Sequence, residues 1–331
     1  MNIQTLQKTF DSRTELFSLD QYSAYRLFNG FIEGQGNLVV DYYGTTLLIY
    51  DYQKKDFLDN QTLNFIQSFY LTKLPFLQTV ILKRRFSKEV EEKRGVFLLD
   101  GNPTREITEF GVRYAIDVLL NQDAGFYLDT RNLRKWLLES MAGKTVLNTF
   151  AYTGSLGVAA AAGGANRVIQ TDLNKRFLNL AKTSYSLNGF PINKADFQAG
   201  DFFKNITRLK KENSGFDCVI LDPPFFSTTA AGKVDLVHES VRLINKVRPL
   251  VNHQGYLVVI NNALFLSGKE YLAKLNELFV DGYLEMVQHI PVPLDISGFP
   301  ETKVRPLPAD PSPFNHATKI VVLKVFRKNT H

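Results

Sequence analysis

Four stretches in the second half of the chain place acidic or polar residues directly after apolar runs. Val146-Leu147 leads into Asn148-Thr149-Phe150-Ala151-Tyr152-Thr153-Gly154, and Arg167–Thr171 ends at Asp172. A third run ends at Asp201-Phe202-Phe203, and Phe216–Leu221 ends at Asp222-Pro223-Pro224-Phe225. A buried parallel strand that feeds a helix through a small-residue turn offers a ligand free backbone N–H groups and a positive dipole end. An acid about twenty residues after such a turn stands where a ribose is bound in open α/β sheets. Asp222 precedes two prolines that cannot continue a hydrogen-bonded ladder, so its side chain and the nearby carbonyls face a pocket. Phe225 follows as an aromatic able to stack on a flat substrate group. The four strand ends describe the ligand rim of an open α/β sheet. Only Gly154 sits in the first turn, so the three spaced glycines of a dinucleotide fingerprint are missing, which argues against a nicotinamide enzyme.

Length and composition bound the frame around this rim. At 331 residues and 44% apolar content the chain can bury a sizeable core, and two domains are expected. A formal charge of +6 permits an anionic partner such as nucleic acid. The single cysteine, Cys218, excludes an internal disulfide framework and a cysteine metal cluster and fits a reducing cytoplasm. Met1-Asn2-Ile3-Gln4 begins no signal peptide and no apolar run reaches membrane-spanning length, so a cytoplasmic protein is expected.

Ile3, Leu6, Phe10 and Leu16 recur at helical spacing over residues 1–17, with Lys8 and Arg13 facing outward. Residues 23–110 read as β-rich. Strands are expected at Tyr25–Phe28, Asn37–Asp41, Thr45–Tyr50, Thr79–Leu82 and Val96–Leu99, with Tyr42-Tyr43-Gly44 as a turn and a helix over Leu58–Tyr70. Lys83, Arg84, Arg85 and Lys88 cluster just past a strand, as either a solvated loop face or a phosphate-contact patch. From residue 110 strands and helices alternate. Phe110–Leu119 reads as a strand, and Asp129–Met141 as a helix capped by Asp129, with Arg131, Arg134 and Lys135 outside and Leu133, Trp136 and Leu137 inside. Further strands fall near 145–150, 167–171, 195–199, 216–221 and 255–260, with helices near 155–163, 174–188, 202–211 and 234–249. Terminal strands near 283–289 and 318–326 flank a stretch holding seven of the 13 prolines, whose restricted dihedrals predict an ordered lid. The division between domains is expected at 1–115 and 116–331.

Ala124-Gly125-Phe126-Tyr127-Leu128-Asp129-Thr130-Arg131, Leu147–Gly154 and Asp222-Pro223-Pro224-Phe225-Phe226 together resemble the class I S-adenosylmethionine-dependent methyltransferases. More narrowly, they resemble the large-subunit ribosomal RNA methyltransferases that modify cytosine C5 or guanine N7. Tyr25–Phe28 with Val39–Gly44 is similar to the small domain that precedes the catalytic one in that family. Residues 1–22 are too short for the RNA-binding PUA domain that heads the cytosine enzymes and are expected to form a helix, as at the start of the catalytic half of the guanine-N7 enzyme. The resemblance implies an α/β fold, a Rossmann-like seven-stranded mostly parallel sheet with helices on both faces, after a small α+β domain that contacts RNA. It implies S-adenosylmethionine as cofactor and ribosomal RNA as partner, with no metal.

Within that resemblance Asp172, with Leu173 beside it, is expected on the ribose diol, since a carboxylate accepts hydrogen bonds from paired hydroxyls. Asp201 suits the adenine amino group, with Phe202 as an apolar wall, and equally suits capping of the helix that follows. Asn148, Thr149, Phe150, Tyr152, Thr153 and Gly154 are expected under the cofactor tail. Family similarity adds Phe126, Asp129 and Arg131, the last pairing with the cofactor carboxylate. Asp222, Pro223 and Phe225 are the expected catalytic residues, Asp222 also touching the cofactor. Cytosine C5 chemistry needs a thiolate. Cys218 lies inside a strand, about 13 Å back from Asp222 at roughly 3.3 Å per residue, and the family's cysteine position after the fifth strand holds Asn261-Asn262. Guanine N7 offers its own lone pair, so positioning and exclusion of water can supply much of the acceleration. His238, His253 and His316 stand isolated. The expected function is methylation of RNA, with guanine N7 of ribosomal RNA favoured. The alternatives are transfer to an exocyclic nucleobase amine or a protein amide, and a catalytically silent RNA-binding or assembly protein.

Overall fold

Apolar residues recurring at helical and then alternating spacing build the first part of the computed structural model, which describes residues 3–19 and 22–327. Met1 and Asn2, part of the expected opening helix, lie outside the described residues. The opening stretch forms two helices, α1 (Ile3–Asp11) and α2 (Thr14–Leu19). Strands β1 (Ala24–Asn29), β2 (Leu38–Tyr43) and β3 (Thr46–Asp51) pair antiparallel, with the short helix α3 (Gly30–Glu33) after β1. The turn between β2 and β3 is Gly44-Thr45, with Gly44 at φ +54; Tyr42 and Tyr43, expected in the turn, stay buried in β2. Helix α4 (Asn60–Lys73), capped by the Asp59 carboxylate on the Thr62 N–H at 2.7 Å, carries the chain across so that β4 (Thr79–Arg84) lies parallel to β3. After α5 (Val90–Arg94), β5 (Val96–Leu99) completes a sheet of order β1-β2-β3-β4-β5. Phe110–Leu119, expected as one strand, is the second arm of a hairpin of β6 (Glu106–Glu109) and β7 (Val112–Ala115), because Phe110 and Gly111 both take positive φ.

The chain divides into two compact units, Met1–Leu128 with Pro293–Pro306 and Asp129–Val292 with Leu307–His331. The sequence places the division at 115/116. In the structure residues 116–128 are bonded into the first unit: Lys83 donates to the Asn121 and Asp123 carbonyls at 2.9 and 3.1 Å, and the Tyr43 hydroxyl donates to the Phe126 carbonyl at 3.0 Å. The basic group is therefore neither a solvated loop face nor an open phosphate patch. Lys83 is fully buried, Arg84 pairs with Glu92 at 2.6 Å, Arg85 pairs with Asp123 at 2.8 Å, and only Lys88 is exposed.

Arg13, expected outside, is fully buried. One of its guanidinium nitrogens donates to both Glu33 oxygens at 3.0 Å and to the Asp295 carbonyl at 3.2 Å, and its Nε donates to the Arg26 carbonyl at 2.8 Å. The returning stretch is held by the same group of residues. Thr302 donates to Glu33 at 2.6 Å, Asp295 accepts the Arg26 N–H at 3.0 Å, and Asn29 donates to the Ile296 carbonyl at 2.9 Å. Glu33→Ala should cost roughly 3–5 kcal/mol in urea denaturation, because it leaves a buried guanidinium without its counter-charge. A loss below about 1 kcal/mol would show that the pair does not hold the first unit together.

The second unit runs α6 (Arg131–Ser140), β8 (Thr145–Thr149), α7 (Ser155–Ala162), β9 (Arg167–Asp172), α8 (Lys175–Leu187), β10 (Phe197–Ala199), α9 (Phe202–Lys211) and β11 (Phe216–Leu221). It continues through β12 (Phe226–Thr229), β13 (Gly232–Asp235), α10 (Ser240–Val247), β14 (Val251–Asn261), α11 (Gly268–Asn276), β15 (Leu284–Ile290) and β16 (Lys319–Val325). The seven-stranded sheet has the order β10-β9-β8-β11-β14-β16-β15, and only β16 runs against the others. Strand alternation divides the core. Leu147, Val219, Leu221 and Leu257 join the cluster that includes residues of α9, α10 and α11, while Val146, Cys218, Ile220 and Val258 join the one that includes α6 and α7. The helix expected over 234–249 begins only at Ser240, since residues 226–235 form the β12–β13 hairpin. Asp129 does not cap α6; it accepts the Thr318 hydroxyl at 2.9 Å, and Thr130 holds the cap position. Arg131 and Arg134, expected outside, are buried, Arg134 donating to the Thr130 hydroxyl at 2.8 Å.

Candidate functional site

Strand register brings the rim together. Thr149 of β8 is level with Thr171 of β9 and with Leu221 of β11, so Phe150, Asp172 and Asp222 leave three adjacent strands at one height. Neighbouring strands lie about 5 Å apart. The strand order reverses between β8 and β11, the place where open α/β sheets bind ligands.

The turn after β8 is held in an uncommon conformation. Phe150, Tyr152 and Gly154 take φ values of 52°, 51° and 80°. A left-handed residue other than glycine costs about 1–2 kcal/mol, so the surroundings must enforce the turn. The Tyr152 N–H donates to Asp172 at 2.8 Å, and the Ala151 N–H donates to the Thr171 carbonyl at 2.9 Å. Phe150 stacks on Phe202 with centroids 4.4 Å apart, and Tyr152 meets Phe177 edge-on at 4.6 Å. The Thr149 hydroxyl donates to the Ile220 carbonyl at 2.7 Å, and Thr153 is buried. Asn148 donates to Gln170 at 3.4 Å, while its own amide oxygen is buried with no hydrogen-bond partner. Gln170, which sequence reasoning missed, explains a second glycine. A Cβ on Gly157 would lie 2.5 Å from its amide, so helix α7 can approach only with glycine there.

The acids differ in their engagement. Each Asp172 oxygen accepts one backbone N–H, from Tyr152 and Asn174, both at 2.8 Å, and burial raises its carboxyl above the ordinary value. The cap of α8 is Asn174, so capping does not account for Asp172; Leu173 beside it is largely exposed. Asp201 caps α9 through the Lys204 N–H at 3.1 Å and also accepts the Thr229 hydroxyl at 2.5 Å, a contact hidden in the sequence because nothing in the pattern of residues 226–235 announces a hairpin. Asp222 is half-buried and pushed up to about 7, first by loss of water and then by the negative charge of Asp129. Among the described residues nothing donates a hydrogen bond to it. Pro223 is buried, and Phe225 is 50% exposed. Phe126 lies in the first unit, its ring edge-on to Tyr114 at 5.1 Å.

Asn261 is buried at the end of β14, bonded to the Leu236 carbonyl and the Ala263 N–H. Lys319, also missed, is buried beside it on β16 and donates to the Ala263 and Ala317 carbonyls at 3.2 and 2.7 Å, which holds the loop after β14. Burial lowers its ammonium to about 8, with Glu270 opposing the shift. Cys218 is fully buried and its thiol is pushed up to about 12. His253 and His316 each accept a backbone N–H, and His238 pairs with Asp235. Among the described residues no three His, Cys, Asp or Glu are grouped to hold a metal, and no helix is long and apolar enough to cross a membrane.

The donor set of this rim fits a nucleoside-bearing cation. Asp172 keeps lone pairs for a diol, Phe150 and Phe202 form a flat apolar wall, the turn opens on the start of α7, and Asp129 with Asp222 lacks a cation among the described residues. Such a rim belongs to the Rossmann-like enzymes of group transfer. A profile of the S-adenosylmethionine-dependent methyltransferases matches residues 77–283. The chain is 31% identical over 322 residues to YwbD of Bacillus subtilis (strain 168), named as a candidate ribosomal RNA large subunit methyltransferase, covering 90% of this chain and 77% of the relative. It is 31% identical over 214 residues to ribosomal RNA large subunit methyltransferase I of Erwinia tasmaniensis, covering 62% of this chain and about half, 52%, of that protein. The crystal structure of SMU.776, a candidate methyltransferase complexed with SAH, superposes with a TM-score of 0.82 at 25% identity, over 98% of this chain and 80% of that one. This chain belongs to the S-adenosylmethionine-dependent methyltransferase family, and S-adenosylmethionine is its cofactor.

Gly154→Ala tests the turn. The new Cβ would stand 2.4 Å from the Ala181 Cβ at a positive φ. Left-handed strain and crowding together should cost roughly 2–5 kcal/mol of stability in urea denaturation. A loss under about 1 kcal/mol would mean that the turn relaxes freely.

Proposed function

We propose that this enzyme methylates RNA, with guanine N7 of large-subunit ribosomal RNA as the acceptor. The observation that carries the choice of chemistry is the state of Cys218. A core thiol pushed up to about 12 is protonated at neutral pH and cannot attack C6 of a cytosine. The loop after β14 presents exposed Asn262 beside buried Asn261 and holds no second thiol. Guanine N7 needs no nucleophile from the protein. The names of the relatives support ribosomal RNA as the substrate class.

In this reading S-adenosylmethionine supplies an electrophilic methyl group on a sulfonium. Asp172 holds the ribose diol, Asp201 and Phe202 flank the adenine, and residues 148–154 carry the amino-acid tail. Arg131 takes the tail carboxylate, and Asp129 with Asp222 offsets the cofactor's positive charge. Phe225 stacks on the base, and Asp222 offsets the positive charge that develops on it. A second reading, transfer to an exocyclic amine, is favoured by one observation. A carboxyl near 7 can accept the proton that such an acceptor must lose.

Mass spectrometry of digested ribosomal RNA from cells with and without the protein tests the function. Loss of 7-methylguanosine, restored by the wild type and not by Asp222→Ala, is the expected result. Loss of an N-methylated exocyclic amine instead would establish the second reading. Unchanged methylation of every nucleoside would overturn both.

The charge assignment has its own measurement. Below about 7 Asp222 is protonated and offers no negative charge, so cofactor affinity should rise with pH toward 7 and level off above it. The steepest part should approach about tenfold per pH unit. Calorimetry of Asp222→Asn should give weaker binding with this rise removed. An unchanged rise would exclude Asp222 from contact with the cofactor's cation.

A further inference from the structure

The proposed site leaves a second charged feature of the methyltransferase unit unused. Helix α9 buries Phe202, Phe203, Ile206 and Leu209, and turns Lys204, Thr207, Arg208 and Lys211 outward at i, i+3, i+4 and i+7. Cations in the last turn of a helix are stabilised by its dipole, which accounts for Arg208 and Lys211. Lys204 stands in the first turn, where the same dipole opposes it. Arg208 is paired with Glu212 at 3.0 Å, but among the described residues no carboxylate pairs with Lys204, Lys210, Lys211 or Lys246. Mutual repulsion is felt there, since Lys246, after burial, pushes Lys210 down.

Lys204, Thr207, Arg208 and Lys211 line an open groove of about 450 Å³ between α9, Lys246 of α10 and Ala231 at the tip of the β12–β13 hairpin. The Phe203 ring lies in it, with the Lys246 ammonium and the Arg242 guanidinium each 5.5 Å from its centroid. The hairpin tip is seated firmly on that ring, because a Cβ on Gly232 would approach it to 2.5 Å. The groove also connects with the rim. The Asp201 cap of helix α9 accepts the Thr229 hydroxyl of the hairpin, and the hairpin starts at exposed Phe226, next to Phe225.

We infer that this groove binds the phosphate backbone of an RNA strand next to the nucleotide being methylated, an inference that rests on the reading of RNA as substrate. Lys204 and Lys211 are about 10 Å apart along the helix at 1.5 Å per residue. That separation lets the two ammonium groups meet different phosphates of one strand. Unpaired ammonium groups along an open groove suit a chain of evenly spaced anions, where a small anion would need converging donors.

The test uses the full chain, a fluorescent single-stranded RNA 20-mer and transcribed large-subunit ribosomal RNA, titrated over a range of potassium chloride. Lys204→Ala/Lys211→Ala/Lys246→Ala should weaken binding of both at least tenfold. It should also reduce the slope of log Kd against log salt by about two, at roughly 0.7 per phosphate contact on a single strand. The KM for RNA should rise, and cofactor affinity should stay within twofold. Lys135→Ala/Lys144→Ala/Lys269→Ala removes equal charge elsewhere and should keep the wild-type slope. If the groove variant binds and methylates RNA as the wild type does, the groove is not the backbone site, while the RNA reading stands. An equal loss in the control variant would also overturn the groove. If the wild type neither binds nor methylates RNA, the substrate reading fails and the groove assignment with it. Weakened binding to polyglutamate with RNA binding unchanged would assign the surface to an acidic protein and overturn the inference.

Discussion

Two carboxylates of like charge, Asp129 and Asp222, set the terms for the open end of the methyltransferase sheet. Loss of water and the neighbouring charge both favour the protonated form of Asp222. Its carboxyl therefore holds a proton more tightly when folded than when unfolded. The stability it contributes is present below about 4, its unfolded value, and is lost as pH rises through about 7. The folded chain at neutral pH thus carries an electrostatic cost at this end of the sheet. A positive charge placed there would relieve it, and perturbations of this kind are common at functional sites.

The neighbouring parts of the rim keep that arrangement from relaxing. Register aligns three strand ends, and the left-handed turn after β8 is pinned by Asp172 below and by the Phe150–Phe202 stack beside it. Gln170 fills the space under the turn so closely that only glycine fits at 154 and 157. Thr229 ties the hairpin to Asp201, and Lys319 ties the loop after β14 to the sheet. The rim is over-determined from several sides, which lets residues persist in costly backbone conformations.

Much of this was legible in sequence because it depends on local pattern. Apolar runs located the sheet strands to within a few residues, and the residue after each run marked the rim at Asp172, Asp201 and Asp222. What stayed hidden depends on distant partners. Arg13, Arg131 and Arg134 read as surface residues by periodicity, and Arg13 is buried only because Glu33, twenty positions on, neutralises it. The β12–β13 hairpin carries Thr, Ser, Lys and Asp rather than alternating apolar residues, so nothing in its pattern announces strands. The proline-rich stretch looked like one element, yet Pro293–Pro306 packs with the first unit because Asp295, Ile296 and Thr302 find partners there.

Strand β16 follows both β14 and β15 in the chain but lies between them in the sheet. Until residues 319–325 have been made, β15 has no strand to pair with and β14 presents a long apolar edge. Unpaired edges of this kind recruit strands from other molecules. A chain ending before Lys319 would lack Val321 and Leu323 on one face of the sheet and Ile320 and Val322 on the other, and would leave two open borders. Birth order therefore leaves the sheet open at two edges until the last of its strands is made.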